Sequence, residues 1–151
     1  MKCLTTLSVV SMLTCCALVN AQTSTVRSGK WSAPSTWSDG TVPDVSSGVI
    51  TINHKIVIPA DTLFIVDQVV IKDTLIVEAD AVLTIANGTS ADVEVITGGL
   101  KIFGKIICLD GATFSGTTAA NSFFQSTSTY EHRYSSATGE PPLATWQKLY
   151  P

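Results

Sequence analysis

The sequence predicts an all-β fold: a short right-handed parallel β-helix, or β-solenoid, of about three coils with irregular N- and C-terminal caps. Three observations predict it. Residues 48–109 are dense in Val and Ile and contain no Tyr, Trp or Arg. Apolar residues there recur as i, i+2 pairs, the period of a strand, with no helical period. The pairs are short and evenly stepped, about six to eight residues apart, which suits corners better than hairpins. An antiparallel β-sandwich with fewer, longer strands is the alternative.

The elements follow in order. Residues 1–21 read as a secretory signal peptide: Lys2 is the positive start, Leu4 to Val19 is mostly apolar but too short to span a membrane, and Val19-Asn20-Ala21 is a small-residue cleavage pattern. Cleavage between Ala21 and Gln22 is expected, with no membrane span afterwards. Residues 22–47 are rich in Ser, Thr, Gly and Pro, carry Trp31 and Trp37, and read as an N-terminal cap or linker.

The core, residues 48–109, holds the pairs Ile50/Ile52, Ile56/Ile58, Leu63/Ile65, Val69/Ile71, Leu75/Val77, Leu83/Ile85, Val93/Val95, Leu100/Ile102 and Ile106/Cys108. Each places two side chains inward. Grouped by three, Ile50, Val69 and Val93 stack on one face, Ile56, Leu75 and Leu100 on the second, and Leu63, Leu83 and Ile106 on the third. Lys72, Thr74, Thr84, Glu94 and Lys101 face water. Asn87-Gly88 is a turn signal inside a formal glycosylation sequon, and the spacing slips across 87–91. Residues 110–151 turn polar and aromatic and form a C-terminal cap or the start of a further region.

Composition excludes several classes. Charged residues at 14% and hydrophobic residues at 45% are the opposite of a disordered composition. The net charge is −3 and no Lys/Arg run occurs, so nucleic acid is not an expected partner. Loss of the leader removes Cys3, Cys15 and Cys16 and leaves Cys108. One cysteine cannot form an internal disulfide, and Cys108 in Ile106-Ile107-Cys108-Leu109 reads as a buried small hydrophobe.

Candidate chemistry is sparse. Asp61 and Asp80 precede one corner in successive coils, and Asp67 and Asp92 precede another. Stacked carboxylates repel, and Ca²⁺ would relieve this. Against it, Asp favours turns, and two carboxylates fall short of the roughly six to eight oxygens Ca²⁺ takes. Trp31, Trp37, Tyr130, Tyr134 and Trp146 offer aromatic faces for carbohydrate, or plugs for the ends of the coil. His54 lies in an Asn53-His54-Lys55 turn, and Glu131-His132 stands without a second His or clustered carboxylates. Serine elbows, phosphate-binding Gly loops and Cys knuckles are absent, so no catalytic residue, resident metal or cofactor is expected.

Trp31-Ser32-Ala33-Pro34-Ser35-Thr36-Trp37, then Gly40-Thr41-Val42-Pro43, then Val49-Ile50-Thr51-Ile52 follow a recognisable order. It resembles the opening of the eight-glycine (G-eight) extracellular domain and related β-solenoid modules of Bacteroidota-type surface proteins. Tyr130-Glu131-His132, Gly139 and Pro142-Leu143-Ala144-Thr145-Trp146 resemble a segment that follows the solenoid in long secreted proteins of that group. The resemblance implies a module of a longer, adhesin-like cell-surface protein, of which this chain is an N-terminal fragment. The expected function is a secreted, non-catalytic structural or interaction scaffold, with an extracellular glycan or other surface proteins as partners. The alternative is a carbohydrate-binding or polysaccharide-active domain, because some right-handed β-helices cleave acidic polysaccharides.

Overall fold

The computed structural model describes residues 22–88 and 91–133. Its strands are β1 (Thr23–Ser24), β2 (Gly29–Lys30), β3 (Val49–Ile52), β4 (Ile56–Ile58), β5 (Leu63–Val66), β6 (Gln68–Ile71), β7 (Thr74–Val77), β8 (Val82–Ile85), β9 (Val93–Val95), β10 (Gly99–Ile102), β11 (Lys105–Cys108), β12 (Phe114–Ser115), β13 (Ser122–Phe124) and β14 (Thr129–His132). The one helix among the described residues is a short 3-10 turn at Pro34–Thr36. Successive strands never pair with each other. They join three sheets in rotation, in the orders β1-β3-β6-β9-β12, β2-β4-β7-β10-β13 and β5-β8-β11-β14, and every strand pairing is parallel. This is a β-solenoid.

The first two sheets are five strands deep, so the coil is longer than the roughly three turns expected. The difference lies in the flanks. The region read as an N-terminal cap contributes β1 and β2, which pair with β3 and β4. Beyond residue 109, β12, β13 and β14 add another turn. Their strands are short and poor in Val and Ile, so composition hides them. Their Phe, Tyr and Thr suit a strand, but two to four residues carry no readable period, and the backbone ladder of the preceding turn supplies the template.

The stacking on two faces follows the expected register. Ile50 pairs with Val69 and Val69 with Val93, while Ile56 pairs with Leu75 and Leu75 with Leu100. All six are buried. The third face differs by one residue at its first strand. Leu63 pairs with Val82, and Phe64 with Leu83, which pairs with Ile106. Leu63 and Ile65 therefore point outward, 62% and 43% exposed, while Phe64 and Val66 point inward. Leu63-Phe64-Ile65-Val66 is apolar throughout and carries no phase of its own, so register is decided by what fits the interior. Phe64 fits because it packs against Trp31, with ring centroids 5.8 Å apart.

Thr84 is a second correction. It points outward but is only 7% exposed, because its ladder neighbours Ile65 and Ile107 flank it on both sides. Its hydroxyl-bearing branch sits in an apolar outer stripe rather than in water. Lys72 and Lys101 are exposed as expected, and Thr74 and Glu94 are half-buried.

Corners are built by left-handed residues. Asp61 and Asp80 have φ of 58° and 64° and occupy equivalent corners before β5 and β8. Short polar side chains tolerate this region best after glycine. Among the described residues no helix is long and apolar enough to cross a membrane.

Candidate functional site

The expected aromatic site does not assemble as one surface. Trp31 and Trp37 are 0% and 2% exposed, and their rings meet edge to face at 4.8 Å. The Trp31 indole donates to the Pro43 carbonyl at 3.3 Å, and the Trp37 indole to the Trp31 carbonyl at 2.7 Å. Both polar handles are thus spent inside the protein, and neither ring face is open to a sugar. The pair closes the third side of the first turn, where no strand precedes β5. Tyr130 points inward above Ile106, half-buried, with its hydroxyl 3.2 Å from His132 Nδ1. Tyr134, Trp146 and Ala21 lie outside the described residues; Gln22 is exposed.

The aspartates divide into two kinds. Asp61 and Asp80 are exposed corner residues, as their backbone angles require. Asp92 is fully buried, and its carboxylate accepts from the Gly88 amide at 2.5 Å and from the Thr113 amide and hydroxyl at 2.7 and 3.1 Å. Those donors use the lone pairs that a cation would need. Among the described residues no group of three or more His, Cys, Asp or Glu could hold a metal. Asp67 stands beside it, with Oδ1 buried and no hydrogen-bond partner. Desolvation, and then the negative charge of Asp92, push its carboxyl above the ordinary range.

This raised value has a definite sign. The folded state disfavours the ionised form, so the penalty is present at neutral pH and vanishes below the unfolded value, about 3.9. Asp67→Asn is therefore expected to raise Tm at pH 7, with the two melting curves converging as the pH falls below about 4. A difference independent of pH would place its cause elsewhere.

Near the C-terminal end, Cys108 and His132 are ladder partners and both point inward, while Glu131 between Tyr130 and His132 points out. Strand alternation thus separates the Glu-His pair read along the sequence. Glu131 bonds Lys105 and, at 2.6 Å, Arg133, and these partners hold its carboxyl below the usual range. Burial lowers the His132 pKa, opposed by Asp110 and the Leu109 carbonyl. Burial pushes the Cys108 thiol up to about 12, partly offset by the Tyr130 hydroxyl. A thiol in that state is inert as a nucleophile. Cys108 is expected to resist an aromatic disulfide reagent in the native protein and to react at once in denaturant. His54 is a tie rather than a free turn residue: its Nδ1 donates to the Thr25 carbonyl at 3.1 Å.

A different surface is the most distinctive one on the molecule. The outward side of the β2-β4-β7-β10-β13 sheet carries two columns of side chains. One runs Lys30, Val57, Ile76, Lys101, Phe123 across five strands in register. Beside it, Lys55, Thr74, Gly99 and Asn121 continue the same registers. Lys30, Lys55, Lys101 and Phe123 are exposed. These columns hold three lysines and no carboxylate, on a chain of net charge −3. Glu78 stands at the sheet's corner, where its carboxylate accepts from the Ala60 amide at 3.1 Å. Phe103 joins Phe123 there, ring centroids 5.7 Å apart. One shallow groove is lined by Lys30, Lys55, Val57 and Glu78, and another by Thr74, Gly99, Lys101, Asn121 and Phe123. The sequence hides this face because its lysines are dispersed along the chain. Aligning the coils on their inward pairs brings Lys30 and Lys101 into one column.

Comparison with protein-family models, with curated proteins and with solved structures finds no match for this chain.

Proposed function

We propose that this chain is a secreted, non-catalytic β-solenoid module of a bacterial cell-surface or adhesin-like protein, serving as a structural or interaction scaffold. The observation that carries the reading is how the side chains are spent. The inward residues of all three sheets, from Ile50 and Ile56 to Ile102 and Ile106, form one apolar core. What the protein offers to its surroundings is the outside of a stack of parallel ladders. Each strand in the middle of a sheet is bonded on both sides, which makes a stiff body that presents faces and corners at set spacings. The leader-like residues 1–21 support secretion, and the resemblance to G-eight modules supports a surface location in a longer protein.

The alternative, a carbohydrate-binding or polysaccharide-active domain, draws on one specific observation, the lysine and phenylalanine face of the second sheet. That observation favours binding over cleavage.

The test begins with expression in a Gram-negative host with residues 1–21 in place. The reading expects export, an intact mass beginning at Gln22, and cleavage by protease added to whole cells. Retention in the cytoplasm at full mass would overturn it. The purified protein is also incubated with polygalacturonate and other acidic polysaccharides. New reducing ends or unsaturated ends would overturn the non-catalytic assignment.

A further inference from the structure

We infer that the outer face of the β2-β4-β7-β10-β13 sheet is a binding surface for an anionic linear polysaccharide, laid along the coil axis across Lys30, Lys55 and Lys101 and anchored at Phe123. This inference rests on the geometry of the face and is independent of where the protein resides.

Charge comes first. Lys30, Lys55 and Lys101 are exposed, and among the described residues none is within ion-pair distance of a carboxylate. Glu78 lines the groove with Lys30 and Lys55, but three lysines against that one carboxylate leave the strip positive on a chain of net charge −3, and such a strip selects where an anion lands. Spacing comes second. Lys30 and Lys101 are three strand steps apart, about 14 Å at roughly 4.8 Å per step. That exceeds the Debye length of about 8 Å at physiological salt, so each lysine attracts an anionic group largely on its own. A polymer with charges repeated along its length meets both.

The choice of polymer follows from the sheet. β4, β7 and β10 are bonded on both sides, so a peptide laid over the lysine columns finds no free backbone edge there; among the described strands of this sheet only β2 and β13, at its two ends, are paired on one side alone. An extended acidic peptide would leave its own amides unpaired over Val57 and Ile76. A sugar chain has no such requirement. Its hydroxyls reach Thr74, its apolar ring faces lie on the exposed Phe123 ring, and its carboxylates or sulfates pair with the lysines. Phe123 stands at the end of the column, where β13 closes the sheet.

The experiment measures binding of the whole protein to immobilised polygalacturonate, dextran sulfate, neutral dextran and polyglutamate at low and high salt. The first two separate carboxylate from sulfate as the anionic group. Binding to at least one of them is expected, with release at about 0.5 M salt, where screening is nearly complete. Neutral dextran is expected not to bind. The triple substitution Lys30→Gln, Lys55→Gln, Lys101→Gln is expected to weaken binding at least about tenfold and to flatten its salt dependence. Lys72→Gln, an exposed lysine off this face, should change little. Phe123→Ala should weaken binding at every salt concentration, since it removes ring contact and no charge. Melting temperatures close to the parent's show that the variants fold, because all five side chains are exposed. Equal binding by the triple variant overturns the proposal, as does failure to bind either charged polysaccharide. Tighter capture of polyglutamate than of both polysaccharides overturns the choice of polymer and assigns the face to an acidic protein.

Discussion

Trp31→Ala is expected to cost about 3–5 kcal/mol, a large share of the stability of a domain this size. Trp31 is the largest fully buried side chain among the described residues. It touches Trp37 and Phe64 and so joins the irregular first turn to the third sheet. Truncation opens a cavity on the side where no strand precedes β5, and polar groups there lose their arrangement together. The Pro43 carbonyl loses the indole donor, and the Trp37 indole loses the fixed position of its acceptor on residue 31. Collapse of the site is limited because the facing residues belong to rigid ladders. A urea titration at 25 °C is the direct measurement: the midpoint falls sharply with little change of slope. A loss below about 1 kcal/mol would mean that the Trp pair is peripheral to the core, as an exposed sugar platform would be.

Gly98→Ala is expected to be nearly as damaging, through the backbone rather than the core. Gly98 sits at the corner between β9 and β10 with φ of +74°. A side chain there pays about 1–2 kcal/mol for the left-handed conformation alone. Its Cβ would also overlap the carbonyl group of Asp73 in the preceding turn. That carbonyl accepts from the Gly99 amide at 2.7 Å, so the corner cannot move away without breaking the bond that starts β10 on β7. The combined cost is expected to exceed about 3 kcal/mol, against about zero for Gly40→Asn. Gly40 also has positive φ, but open space surrounds its Cβ position, and Asn tolerates that region. Thermal melting of the two variants side by side separates steric overlap from backbone preference. Equal, small effects would show that the corners of this coil relax freely.

The two corner aspartates and the buried one illustrate how the same residue type reads differently in sequence and in space. Asp61 and Asp80 were legible as turn residues, because their neighbours Pro59, Ala60 and Ala79 interrupt the apolar pairs. Asp92 has a similar position before a strand, yet it is buried and tethers Gly88 and Thr113 from two turns. Nothing near Asp92 in the sequence distinguishes it, since two of its donors are backbone amides that any residue could supply and the third, the Thr113 hydroxyl, comes from the next turn. Melting temperature is expected to be the same in Ca²⁺ and in chelator. Asp92→Ala, in contrast, lowers it by leaving the Gly88 and Thr113 amides without their acceptor.

The sequence by itself determined the architecture. The i, i+2 apolar pairs of residues 48–109, at steps too short for hairpins, admit a stack of parallel turns, and two faces of that stack follow from their spacing. Periodicity is a local property, so it survives without coordinates wherever polar residues mark the phase. Only the tertiary structure decided the rest. Leu63-Phe64-Ile65-Val66 has no polar residue to mark its phase, and Trp31 from an earlier turn selected Phe64 for the interior. The flanking strands β1, β2, β12, β13 and β14 are two to four residues long, too short to show a period of their own, and form because neighbouring ladders pair with them. The lysine face arises in the same way. Its residues are distant in the chain, and register alone, set by burial on the opposite side of the sheet, places Lys30 and Lys101 in one column.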